Sequence, residues 1–186
     1  TIQLAIAKQV AISLNLELTP EEKASLNQPN TTSGEAFRLF LLARSEFMKL
    51  NRDGFRNSIE ASKKALELDS QYAQAYTFLA WAYQLSSNPW FDGHYNRTIA
   101  ELETLVTPLI EKSIELDPSS SDIFLVRGHQ RVFIEALLRD GKKDVEYALE
   151  INSWPLVPTT YCICVVISTY VALDELSPAQ DLVTLT

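Results

Sequence analysis

The sequence predicts an all-α protein. The architecture expected is an antiparallel helix-pair solenoid of about four repeats, preceded by one or two extra N-terminal helices. Three observations carry this. Glycine is scarce, five in 186 residues, while Leu, Ala and Glu are common, a balance that favours helices over tight-turned sheet. Apolar side chains recur at helical spacing along most of the chain, and no Asn-Gly hairpin signal interrupts them. One short stretch that closes a helix occurs three times, as Ala65-Leu-Glu-Leu-Asp-Ser70, Ser113-Ile-Glu-Leu-Asp-Pro118 and Ala148-Leu-Glu-Ile-Asn-Ser153.

Along the chain, Ile2 to Leu16 carries a stripe at 2, 6, 10 and 14, the pattern of an amphipathic helix. Thr19, Pro20 and Glu22 then form a helix start, with a cap, a first-turn proline and a capping-box acid. The polar stretch 27–34 contains Pro29 and Gly34 and reads as a linker. This divides the chain into residues 1–34, the tail of a preceding domain, and residues 35–186, the repeat domain. Helices are expected over 35–50, from an Asp53 cap to Leu68, and over Tyr72–Leu85. Loop composition at about 86–97 marks an insert. Thr98–Leu116 is helical in pattern, with Pro108 kinking it or restarting it from a Thr107 cap. Ile123–Leu138, Lys142–Ile151 and Thr159–Leu173 follow, and a last helix opens at Ser177-Pro178. The Val/Ile-rich run 161–173 also suits a strand, and it is too short for a membrane span.

The repeat has a physical sense. Equating Asp69, Asp117 and Asn152 gives spacings of 48 and 35 residues. The second is close to the 34-residue period of a helix-turn-helix solenoid, and the insert absorbs the surplus in the first. A helix pair of this kind buries one face only by stacking on the next pair. Small side chains at 65, 113 and 148 let the helices approach closely.

These residues resemble the tetratricopeptide repeat (TPR). In Tyr72-Ala-Gln-Ala-Tyr-Thr-Phe-Leu-Ala-Trp-Ala-Tyr83, the side chains Tyr76, Leu79, Ala80 and Tyr83 fall on the motif's aromatic, Leu, small and Tyr positions. Phe124, Arg127 and Gly128 match the third repeat, with Arg127 in place of Leu. Leu39 and Ala43 fit the first. The fourth, from about Thr160, departs from the pattern. The N-terminal helix, Leu-Thr-Pro-Glu-Glu22, the Pro-Asn-Thr linker and Glu35-Ala-Phe-Arg-Leu-Phe-Leu-Leu-Ala-Arg44 are similar to bacterial proteins in which TPRs follow a TolB-like domain. That resemblance implies an upstream output domain, a class III adenylate/guanylate cyclase or a winged-helix regulator.

Catalysis has little material. No Gly-x-Gly-x-x-Gly, Walker loop, His-Glu-x-x-His or Gly-x-Ser-x-Gly occurs, so the segment is expected to be no enzyme and to need no cofactor. Glu67/Asp69 and Glu115/Asp117 read as repeat punctuation. Cys162 and Cys164 are too few for a metal site and suit a core, and His94 and His129 have no evident partner. An enzyme reading would rest on His129 and scattered carboxylates alone. The net charge of −8 argues against nucleic acid or an anionic membrane as partner. Thr1 opens the chain with no signal-peptide pattern behind it, and both ends read as cut from a longer cytoplasmic protein. Asn30 and Asn96 stand in glycosylation sequons that lack a secretory context.

What remains is recognition. The resemblance implies that the first helix of each pair lines a concave groove for a peptide or helix. By repeat position that groove takes Phe40, Arg44, Phe47, Thr77, Trp81, Gln84, Leu125, His129 and Val132. The set lacks the Lys/Asn/Arg clamp for a C-terminal carboxylate, so an extended segment or amphipathic helix is the expected ligand, or a second copy of the chain. The alternative assigns several of these aromatics to the core. Trp90 and Phe91 in the insert are a second candidate contact.

Overall fold

A computed structural model of the chain describes residues 31–87 and 97–151. Its six helices are α1 (Gly34–Phe47), α2 (Arg52–Leu68), α3 (Ala73–Ser86), α4 (Ile99–Leu116), α5 (Ser121–Phe133) and α6 (Leu138–Ile151). They pair as α1/α2, α3/α4 and α5/α6. The pairs stack in sequence order, with α3 against α2 and α5 against α3 and α4. The fold is therefore an all-α pile of helical hairpins, as the repeat pattern requires. The expected helices at 2–16 and 159–173, those opening at Thr19 and Ser177, and most of the insert lie outside the described residues.

Helices α1, α2 and α4 begin where the sequence supplies a side-chain acceptor for orphan backbone N–H groups. Ser33 caps α1 through the Ala36 N–H, and Asn51 caps α2 through the Gly54 N–H. Asn51 replaces the expected Asp53, which lies in the first turn. The Asn51 backbone is extended, and its carbonyl accepts the Phe55 N–H at 2.9 Å. Thr98 and Glu101 form a full capping box on α4. That helix runs on through Pro108, so Thr107 starts nothing. A strong start at Thr98 and the packing of Leu102, Val106 and Ile110 on either side of the proline outweigh one missing ladder bond.

Helix α5 stops at Phe133, short of the expected Leu138. Ile134 and Glu135 both donate to the Gln130 carbonyl, and Ala136 turns left-handed at φ 56°. Leu50, between α1 and α2, makes a similar corner at φ 48°. α6 consequently begins at Leu138, ahead of the expected Lys142.

The core joins the hairpins through aromatic rings. Phe40 packs on Tyr72 and Phe78, and Phe47 on Phe55 and Phe78, with centroids 5.1–5.7 Å apart. The repeated small positions Ala65, Ser113 and Ala148 are all buried. Two glycines allow α5 and α6 to touch. A Cβ on Gly141 would sit 2.5 Å from Val132 Cγ2 and 2.9 Å from the Gly128 carbonyl. Arg127, at the position where the TPR pattern has Leu, finds a carboxylate on α6. Its guanidinium grips Asp144 through two bonds of 2.9 and 2.6 Å, and Arg131 adds a third at 2.7 Å.

Candidate functional site

The nine side chains assigned to the groove all lie on α1, α3 and α5, the first helices of the three pairs. Eight are buried, and Arg44 is half-exposed. Their environments differ. Phe40 and Phe47 belong to the aromatic seam between the first and second pairs, as the core alternative had it. Thr77 turns toward its own hairpin partner: its hydroxyl meets Ser113 Oγ at 2.7 Å, and Ser113 donates to the Ala73 carbonyl at 3.1 Å. Leu125 and Val132 are interior. Arg44 stands 5.9 Å over the Phe40 ring.

Three of the nine come together across the α3–α5 contact. Gln84 Nε2 donates to the Val126 carbonyl at 3.1 Å. Its Oε1 therefore faces His129 Nδ1, 2.7 Å away, and must accept from it. That fixes the histidine as the neutral Nδ1–H tautomer. The Trp81 ring meets the imidazole edge to face, with centroids 5.3 Å apart. Burial among these groups pushes the His129 pKa down to about 3, because a charged ring there would lose its water. This histidine holds no charge near neutrality.

The fourth member of this group was not expected from the sequence. Phe133 lies one turn beyond His129, and the two rings pack with centroids 4.7 Å apart, tilted by 35°. Phe133 is 50% exposed, so it carries the aromatic cluster to the surface. Its i, i+4 relation to His129 was the available signal.

Among the described residues no three His, Cys, Asp or Glu side chains gather as metal ligands, and no helix is long and apolar enough to cross a membrane. Cys162, Cys164, His94, Trp90 and Phe91 lie outside those residues.

No family model matches the chain, and no curated protein matches it. Among solved structures it is similar to the first TPR of Spaghetti (RPAP3) bound to HSP90 peptide SRMEEVD. The match has a TM-score of 0.54 at 18% identity and covers 79% of this chain and 99% of that one. The chain has a TPR-like fold. At that identity the likeness concerns the backbone path, and it agrees with the stacking of α1 to α6 described above.

Proposed function

We propose that this TPR-like chain is a protein-interaction and scaffold module without catalysis of its own. One observation carries the reading most. Ordered stacking puts α1, α3 and α5 side by side, and the TPR structure that the chain resembles is bound to a peptide. The ligand is an extended segment or amphipathic helix, docked along the first helices of the pairs. In this reading Arg44 and Phe133 make first contact, and the buried Trp81, Gln84 and His129 hold the floor rigid beneath them. The remaining groove positions, Phe40, Phe47, Thr77, Leu125 and Val132, act through packing. Residues 35–186 form the module, and residues 1–34 lead into it from a larger bacterial, cytoplasmic signalling protein. The TolB-like junction supports a regulatory segment of a class III cyclase or winged-helix regulator as the context.

Peptide display against the purified chain tests the reading. A selected peptide, labelled and followed by fluorescence anisotropy, should bind about tenfold more weakly to Phe133→Ala and to Arg44→Glu. Both residues are accessible enough for the fold to survive, which circular dichroism checks. A peptide that binds all three proteins equally removes this face. Failure to select any peptide removes the interaction reading.

A further inference from the structure

Three cations of the first hairpin, Arg38, Lys49 and Arg56, each pair with an acid three residues earlier, at 2.5–2.9 Å. At Arg44 that place belongs to Leu41, and the place four residues earlier to Phe40, over whose ring the guanidinium stands at 5.9 Å. Among the described residues no carboxylate is in contact with Arg44. The residue is nevertheless half-buried, so its charge is partly desolvated without an opposite charge in contact. Its neighbours on the same flank are open to solvent: Leu41 is 45% exposed, and Met48, just past the end of α1, is 56% exposed. At 100° per residue, Phe37, Leu41, Arg44 and Met48 fall within about 60° of arc. That arc lies beside Phe40 and Phe47, which join α1 to α3. One apolar stripe of α1 is thus uncovered, with a single cation in its middle.

We propose that this stripe takes an amphipathic helix of a partner protein bearing one acidic side chain, flanked a turn away on each side by Leu, Met or Phe. The inference rests on the interaction reading above and names the partner's chemistry. The partner's acid supplies the counter-charge that Arg44 lacks, and its apolar side chains cover Leu41 and Met48. A carboxylate fits the two parallel N–H groups of a guanidinium, and apolar cover strengthens such a pair by excluding water. The spacing suits a helix. Leu41 and Met48 stand about 10 Å apart along α1, as do any two positions seven apart on a docked helix, and ridges at three- and four-residue spacing interlock. One acid fits better than a run of acids, because the net charge of −8 repels a strongly anionic partner. That charge, carried by every copy, also disfavours a second copy as occupant.

The test displays a library of helical peptides, randomised at their surface positions, against the full chain and its Arg44→Gln variant. Peptides selected on the wild type should carry an acid one turn from Leu, Met or Phe about fivefold more often than those selected on Arg44→Gln. For one such peptide, followed by fluorescence anisotropy, replacing its acid by the amide should weaken binding to the wild type about tenfold and leave binding to Arg44→Gln unchanged. Replacing the acid by Lys should restore binding to Arg44→Glu. Leu41→Ser/Met48→Ser should weaken the parent peptide about tenfold with the circular dichroism unchanged. Equal acid frequencies in the two pools, or an amide peptide that binds the wild type as tightly as its parent, would overturn this inference. If those peptides still lose affinity for Phe133→Ala, the interaction reading survives; a library that yields no binder overturns both. Self-association in sedimentation that Leu41→Ser/Met48→Ser abolishes would give the stripe to a second copy and also overturn the proposal.

Discussion

The side-chain amide of Gln84 ties α3 to α5 twice, through the Val126 carbonyl and through His129 Nδ1 at 2.7 Å. Both groups it serves are buried, so neither finds water when the amide is removed. Gln84→Leu should therefore cost about 2–3 kcal/mol, more than an average hydrogen bond, since two partners lose their bond and are left desolvated. Urea denaturation measures it. A loss below about 0.5 kcal/mol would mean that the two helices are held by packing alone.

The same pair predicts an acid-sensitive fold. His129 titrates at about 3 in the folded chain and near 6.5 once unfolded. Between those values the unfolded state binds the extra proton, so stability is complete above pH 6.5 and falls as the pH drops toward 3. From pH 6.5 to 5 the loss due to this group is about 2 kcal/mol. In His129→Gln that part of the slope should vanish. Parallel slopes for the two proteins in denaturant melts across this range would refute the assignment.

Asp144 is the single anion between Arg127 and Arg131, and its own side chain is 6% exposed. Asp144→Ala should destabilise by about 2–4 kcal/mol, because two guanidinium groups lose their partner in a half-buried setting. Arg131→Met should cost less, as Arg127 retains both its bonds. Thermal melts of the two variants give the order.

Two glycine replacements should change stability in opposite directions. Gly141→Ala forces a methyl against Val132 and the Gly128 carbonyl, for a net loss of about 2 kcal/mol despite better helix propensity. Gly34→Ala meets nothing within 4 Å and should be neutral or stabilising by about 0.5 kcal/mol. Denaturation midpoints decide both.

The Tyr72 hydroxyl sits among Phe40 and the core rings with no hydrogen-bond partner, and burial pushes its pKa upward. Tyr72→Phe should hold stability or raise it by up to about 1 kcal/mol. A clear loss in the same melts would show that the hydroxyl is satisfied.

Helix periodicity was plainest where a helix buries one stripe, as Phe55, Ile59 and Ser62 do on α2, whereas α3 is buried nearly all round from Thr77 to Ser86. Helix ends were less legible where two residues compete for one role. Asn51 and Asp53 are both good caps, and only the backbone path selects Asn51. The stop at Phe133 depends on the left-handed Ala136, which sequence does not advertise. For the site, repeat position found the correct helices and could not give depth. Repeat position puts Thr77 on a free face but it serves Ser113, because a rotation of about 100°, one residue's step around the helix, is enough to carry a side chain from groove to hairpin contact. Phe133 is not among the groove positions that the repeat supplies, and its exposure follows from the helix ending there and not at Leu138.

Leu50 and Ala136 hold the left-handed corners of the first and third hairpins without the freedom of glycine. Each such residue stores on the order of 1 kcal/mol of backbone strain that the surrounding packing must contain. In exchange the corner has few other shapes available to it. The two hairpins therefore behave as stiff clips, whose angle is set at the corner before any neighbouring pair is added.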